Sequence, residues 1–299
     1  MTLFTGLSAF PLTPFSQDAP DEGAYVRLIE RLVKAGVDSI TALGSTGSGA
    51  YVTPSERSRI TRLTRQHAAQ VPVIVGVSAL RTSQVLAHVD DAEAAGASGL
   101  LVAPVSYQVL TDDDVFELYH AVTEHSDLPV IVYDNPGTTH FTFSNALYAR
   151  IAALPGIASI KIPGVPRDPA TASDHVAAIR SAIPAHVTIG VSGDAFAATG
   201  LNAGCDAWYS AIGGTFPAPA VAITQHARAG RGELAVAESE RLAPLWDLFT
   251  EFSGSLRVIA AAAEHLDLAP ARCLPLPLQG LTSEQRARVA AAVDSLALT

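Results

Sequence analysis

At 299 residues, 48% hydrophobic and only 16% charged, the chain has enough apolar material for one large core or two ordinary ones. Its formal net charge of -10, with no basic cluster, excludes a nucleic-acid-binding surface but not a local site for a small anion. No run approaches the ~18 apolar residues of a membrane span, and Met1 to Phe15 lacks the basic start of a signal peptide. Cys205 and Cys273 stand far apart with no C-x-x-C pair, so neither a disulfide framework nor a zinc site is expected. The reducing cytoplasm is the expected compartment.

Leu3 to Phe10 reads as a first strand, ended by Pro11 and Pro14. Glu22 to Ala35 follows as a helix, because Tyr25, Leu28, Ile29, Leu32 and Val33 make one apolar face while Arg27, Glu30, Arg31 and Lys34 make the polar one. Gly36 stops it. Ser39 to Leu43 is the next strand, leading into the loop Gly44-Ser45-Thr46-Gly47-Ser48-Gly49. Thr53, Pro54 and Glu56 then open a helix as N-cap, first helical residue and capping-box partner. The alternation continues with strands at Val73–Val77, Leu100–Ala103, Pro129–Tyr133, Ile157–Ile162, Val187–Gly190 and Ala207–Ala211. Between and after them lie helices at Ser83–Ala95, Asp112–His125, Ser144–Ala153, near Asp168–Ile183, at Asp194–Asn202, and beyond Gly213-Gly214.

Strands that are continuous apolar runs are what a parallel sheet requires, and eight strand-then-helix units predict an α/β fold, the (β/α)8 TIM barrel, over residues 1–229. The remainder, 230–299, has no strand pattern and reads as a C-terminal three-helix appendage: Glu233–Phe252, Ser255–His265 and Ser283–Leu298. A doubly wound sheet is the rival, but no G-x-G-x-x-G opens a helix.

The chain has only two lysines, against seventeen arginines. Lys34 falls on the polar helical face, whereas Lys161 lies in the apolar strand Ile157–Ile162. Two readings of that strand are open: a lysine that snorkels to solvent, or a buried amine whose lowered pKa makes it a nucleophile for carbonyls. In a (β/α)8 barrel the site lies at the C-terminal ends of the strands. Side chains alternate across a strand, so Lys161 shares a face with Ser159, while Ile160 and Ile162 face the helices. Tyr133 ends the preceding strand, and a phenol beside the amine favours the catalytic reading. The backbone N–H groups of the Gly44–Gly49 loop and the hydroxyls of Ser45 and Thr46 suit a carboxylate; the alternative is a plain glycine-rich turn. It is not a P-loop, and there is no G-x-S-x-G or H-E-x-x-H. Asp112-Asp113-Asp114 could ligate a cation, but acidic residues in a first helical turn have the simpler dipole explanation. His140 is either a substrate contact or a surface histidine.

These residues resemble the dihydrodipicolinate synthase / N-acetylneuraminate lyase group of class I aldolases. The match runs from Gly6 and Thr13-Pro14-Phe15 through Gly44-Ser45-Thr46-Gly47, Tyr133-x-x-Pro136 and Ile160-Lys161 to Gly193-Asp194. The resemblance implies that Lys161 forms an imine with pyruvate or a related 2-oxo acid, with no separate cofactor and no metal. It also implies that Tyr133 shuttles protons, that Ser45 and Thr46 with Gly47 bind the carboxylate and relay protons, and that Tyr107 completes the relay across a dimer interface. A homotetramer built as a dimer of dimers is implied too, and a second, aldehyde substrate. Thr138, His140 and Tyr209 are candidate substrate contacts. The chain departs from the pattern at Ser48, where the family usually has Glu, and at Thr138, where dihydrodipicolinate synthase proper has an arginine that grips its aldehyde partner. The expectation is therefore a Schiff-base lyase that is not authentic 4-hydroxy-tetrahydrodipicolinate synthase. A sugar-acid aldolase or dehydratase, a non-catalytic 2-oxo-acid-binding barrel and a metal-dependent barrel lyase are the alternatives.

Overall fold

A computed structural model describes residues 3–298; the outermost ends of the two expected segments, Met1, Thr2 and Thr299, lie outside it. Eight parallel strands close into a barrel in sequence order: β1 Gly6–Ala9, β2 Ser39–Ala42, β3 Val73–Gly76, β4 Gly99–Val102, β5 Val130–Tyr133, β6 Ile157–Ile162, β7 Thr188–Val191 and β8 Ala207–Ser210. Each strand is followed by a helix on the outside: α1 Glu22–Ala35, α2 Pro54–His67, α3 Thr82–Ala94, α4 Asp112–His125, α5 Asn145–Ala152, α6 Pro169–Ala182, α7 Ala197–Asn202 and α8 Pro217–Arg228. The α/β barrel expected from the sequence is the fold observed.

Gly36 and the Thr53 capping box act as expected, and the structure adds further caps. Asp21 caps α1 by accepting from the Ala24 N–H at 2.9 Å, and Gly36 ends the helix in the left-handed region at φ 74°. Thr53 and Glu56 form a reciprocal capping box on α2, as Thr111 and Asp114 do on α4. The acidic first turn of α4 is thus accounted for: Asp114 caps it, and Asp113 pairs with Arg150 at 2.5 Å. Lys34 is exposed, as a helix-surface lysine should be.

Alternation sorts each strand between two cores. Outward residues such as Leu7, Ile40, Val75, Leu100, Val132, Ile160, Ile162 and Trp208 pack against the helices. Inward ones, including Ile74, Leu101, Ile131, Tyr133 and Tyr209, fill the barrel together with Phe4 and Phe10. One irregularity sets the register that matters. Between β5 and β6, Val130 pairs with Ile157 but Ile131 pairs with Ser159, so Ala158 is an extra residue. Tyr133 consequently comes level with Lys161 rather than with Ile160.

Several elements differ from the sequence reading. The first strand is shorter, because Leu3 to Thr5 form a turn into it. A two-stranded hairpin, Phe15–Ser16 with Ala19–Pro20, interrupts the loop before α1, and a single helical turn, Pro136–Thr139, follows β5. The long C-terminal helix expected over Glu233–Phe252 is two helices, α9 Gly232–Arg241 and α10 Ala243–Glu251. Pro244 carries no N–H, so the helix cannot run through it, and the chain restarts with Pro244 in the first turn of α10. The appendage therefore has four helices, with α11 Ser255–His265 and α12 Ser283–Ser295 completing it. It packs on the barrel through shared apolar contacts: Ile259, Ala260 and Ala263 of α11 meet Leu12 and Leu28. Both cysteines are buried and free. Among the described residues no helix is long and apolar enough to cross a membrane.

Candidate active site

Lys161 is the fifth residue of β6, and its apolar neighbours on the strand need the closed sheet around them. Its side chain turns into the barrel, is 4% exposed, and holds Nζ 4.1 Å from the centroid of the Tyr133 ring and 5.6 Å from that of Phe10. Among the described residues it makes no ion pair and no hydrogen bond. Burial pulls its pKa down to about 7, with the more distant Asp194 and Asp134 carboxylates opposing the fall. The snorkelling alternative is thereby removed: this amine is held inside, and a large neutral fraction is available near neutral pH.

Tyr133 closes β5 beside it. The phenol oxygen lies 2.9 Å from Ser45 Oγ and accepts a 2.9 Å hydrogen bond from Asn135 Nδ2. Burial pushes the phenol's pKa up, and both hydrogen bonds work against that rise. Ser45 belongs to the loop that follows β2. That loop is wound tightly, with positive φ at Leu43 (58°) and Ser48 (53°), and with Gly49 so close that a Cβ would sit 2.1 Å from the Leu43 carbonyl oxygen. The turn leaves the N–H groups of Ser45, Thr46 and Gly47 without an acceptor among the described residues. Successive unpaired amides beside a hydroxyl form a concave donor surface, the arrangement that holds a carboxylate. Arg57 of α2 braces the loop from behind, donating to the carbonyls of Gly49 and Gly76. Desolvation lowers its pKa to about 10, which leaves it charged at neutral pH, and Asp91 partly offsets the loss.

The other residues singled out in the sequence separate. Thr46 is buried beside Ser45, but its hydroxyl makes no hydrogen bond among the described residues; Ser45 is the one that meets the phenol. Thr138 is exposed on the helical turn after β5, its Oγ1 accepting from Asn135 Nδ2 at 3.0 Å. His140 ends that turn, exposed, in the left-handed region at φ 57°. Tyr209 of β8 meets Ser159, two residues before Lys161 on β6. Its hydroxyl is 2.7 Å from Ser159 Oγ, and its ring lies so close over Gly190 that a Cβ there would sit 2.1 Å from it. Tyr107 projects from the loop after β4 at 91% exposure and touches none of these groups within the chain.

Three further residues carry the site without having been given a role from sequence. Asn135 was only an unspecified position in Tyr133-x-x-Pro136. Asp134 was another: it receives the Tyr148 hydroxyl at 2.6 Å, its N–H donates to the Lys161 carbonyl at 3.0 Å, and burial lifts its pKa to about 6. Asp194, quoted in the Gly193-Asp194 pair, accepts from Trp208 Nε1, Ser210 Oγ and the N–H groups of Ala211 and Ile212 at 2.9–3.2 Å. Those four donors stabilise a buried carboxylate that otherwise would be driven to protonate. No single-residue signal marks these positions; only placement on a strand end next to Tyr133 or Lys161 does. Among the described residues no group of three or more His, Cys, Asp or Glu side chains converges to hold a metal.

Both the sequence and the barrel have counterparts among known proteins. A sequence profile of the dihydrodipicolinate synthetase family matches residues 3–296. The chain belongs to that family. The resemblance read from the sequence is therefore the right one, and with it goes the lyase class of enzyme. The 4-hydroxy-tetrahydrodipicolinate synthase of Hyphomonas neptunium is 34% identical over 160 residues, 53% of this chain and 55% of that protein. The alignment thus spans about half the length of that relative. An uncharacterized DapA-like lyase of Halobacterium salinarum is 30% identical over 287 residues, 95% of this chain and 90% of that protein. Among solved structures, a dihydrodipicolinate synthase from Agrobacterium tumefaciens superimposes with a TM-score of 0.94 at 42% identity, covering 99% of each chain. A putative dihydrodipicolinate synthetase from Pseudomonas aeruginosa gives 0.89 at 30% identity, covering 98% of this chain and 99% of that one.

Proposed function

We propose that this member of the dihydrodipicolinate synthetase family is a Schiff-base-forming lyase of the class I aldolase type, acting on pyruvate or a related 2-oxo acid. The observation that carries the proposal is the Lys161 amine, buried without a counter-ion, 4.1 Å from the ring of a phenol that is hydrogen-bonded to the carboxylate-binding loop. The free N–H groups of Ser45, Thr46 and Gly47 and the Ser45 hydroxyl receive the substrate carboxylate. The neutral Lys161 amine adds to the neighbouring ketone carbon, and the adduct loses water to give an iminium. That cation draws electrons from the adjacent carbon, which loses a proton or breaks a C–C bond to give an enamine; in a dehydration the enamine then pushes a hydroxyl off the carbon beyond, restoring the iminium. Tyr133 gives a proton to the departing hydroxyl and takes one back, with Ser45 and Thr46 passing it toward solvent. The lysine imine supplies the electron sink, so the reaction calls for no separate cofactor.

The second reactant in our reading is not the carboxylate-bearing aldehyde of the 4-hydroxy-tetrahydrodipicolinate synthases. Position 138 is a threonine turned to Asn135, and it offers no guanidinium to grip such a group. A neutral aldehyde or a sugar-type 2-oxo acid, near Thr138 and His140, fits better. We also propose a cytoplasmic homotetramer in which the exposed Tyr107 reaches the site of a neighbouring subunit. Treatment with borohydride in the presence of pyruvate and a panel of 2-oxo acids tests the chemistry. A reduced adduct on Lys161, absent from Lys161→Met, is the expected result; no adduct with any 2-oxo acid would sink the proposal.

A further inference from the structure

Asparagine is favoured at helix N-caps because its side-chain oxygen accepts from the N–H groups of the first turn. Asn135 stands at the N-cap of the Pro136–Thr139 turn and makes no such bond. The turn is closed by other bonds: the Asn135 carbonyl accepts from the N–H groups of Thr138 and Thr139, both at 2.9 Å, and from the Thr139 hydroxyl at 3.1 Å, while the His140 N–H donates to the Pro136 carbonyl at 3.0 Å. The side chain is spent elsewhere. Nδ2 donates to the Tyr133 phenol oxygen at 2.9 Å and to Thr138 Oγ1 at 3.0 Å, so both amide hydrogens are engaged and the amide plane is fixed.

We infer that Asn135 is a positioning residue for proton transfer by Tyr133, with Thr138 holding its amide in place; the inference rests on the Schiff-base reading above. A phenol has one proton to give. With Asn135 Nδ2 donating to its oxygen, the Tyr133 proton is free to point at its other partner, Ser45 Oγ, 2.9 Å away. The direction of the chain is thereby set as Asn135 to Tyr133 to Ser45, toward the substrate loop. When Tyr133 releases its proton, the same N–H remains on the phenolate oxygen and stabilises the charge that develops there. An amide turned the other way would present its oxygen to two hydroxyls and draw the phenol proton away from Ser45. Thr138 therefore has a task of its own: its oxygen takes the second amide hydrogen. The other charged groups acting on Tyr133 are the Lys161 amine against its ring and the Asp134 carboxylate, and they are unchanged by substitution at 135.

The test uses Asn135→Leu, which keeps the side-chain shape without the donors, and Asn135→Asp, which can only accept. Tyr133 ionisation is read from the pH titration of tyrosinate absorbance, each protein compared with its own Tyr133→Phe form. In Asn135→Leu the Tyr133 midpoint is expected to rise by about one pH unit, and borohydride trapping of pyruvate on Lys161 to slow about tenfold. Asn135→Asp is expected to raise the midpoint further and slow trapping more. In the Tyr133→Phe background, Asn135→Leu is expected to change trapping by less than about twofold, since the residue acts through the phenol. Thr138→Val, at an exposed position, gives a milder change in the same direction and serves if Asn135→Leu folds poorly. An unmoved Tyr133 midpoint in Asn135→Leu, or equal slowing with and without the phenol, overturns the inference. Failure of the wild type to form any adduct would instead strike the Schiff-base reading, and the titration distinguishes the two.

Discussion

Replacing Lys161 by methionine removes the amine and leaves a side chain of similar length in the same apolar surroundings. In the folded protein the amine's pKa falls to about 7 because it is buried without a close counter-ion. In the unfolded chain it is about 10.4. Between those values the unfolded state binds more protons, so wild-type stability rises with pH across that window, and below about 7 the penalty is constant. Relative to a permanently neutral side chain, the ammonium costs about 2 kcal/mol at pH 9 and about 5 kcal/mol at pH 5.5. Lys161→Met is therefore expected to gain about 3 kcal/mol more over wild type at pH 5.5 than at pH 9. Urea denaturation of both proteins at both pH values measures this, and the double difference cancels the titrating groups that do not feel the amine; Asp134 and Asp194, whose pKa values the ammonium lowers, are the exceptions. The same shift predicts that imine trapping in the wild type accelerates as pH rises through about 7. A stability gain equal at the two pH values, together with a trapping midpoint near that of a free lysine, would refute the reasoning.

Tyr133→Phe keeps the ring over Lys161 but loses the proton donor, and single-turnover trapping of pyruvate is expected to slow about a hundredfold or more with little loss of stability. Thr138→Arg places a guanidinium on the exposed turn, where a charge-assisted hydrogen bond is worth about 1.5–3 kcal/mol. Competition between carboxylate-bearing and neutral aldehydes should then shift by roughly ten- to a hundredfold toward the former, and no shift would argue against position 138 facing the second substrate. Arg57→Met leaves the buried carbonyls of Gly49 and Gly76 without their donor. A stability loss of about 2–4 kcal/mol and a raised KM for the 2-oxo acid are expected, from urea melts and steady-state assays.

Much of the barrel was written in the sequence because its signals are local. Apolar runs of strand length, capping boxes at Thr53 and Thr111 and a left-handed stop at Gly36 each act through residues near in the chain. The alternation of strand and helix, eight times over, points to a closed parallel barrel. The same locality explains the failure over Glu233–Phe252, where helical periodicity masked the break imposed by Pro244. Lys161 was conspicuous for a compositional reason, as a lysine in an apolar strand of a chain that, Lys34 apart, otherwise uses arginine.

What the sequence alone determined is that an amine and a phenol stand near the ends of consecutive strands. Whether they meet was decided by tertiary structure. Side chains alternate with a period of two, so one residue more or less in the pairing would turn Tyr133 toward Ile160 and the helix layer instead of toward Lys161. The extra residue at Ala158 puts them level, and nothing in the run Ile157-Ala158-Ser159-Ile160 announces it. Asn135 is the same case on a smaller scale. An asparagine before a proline reads as a cap, and only the folded turn directs its amide to the phenol. The depth at which Lys161 is held, and so its lowered pKa, likewise arises from the closed barrel, because desolvation is a property of everything packed around the amine and not of its neighbours in the chain.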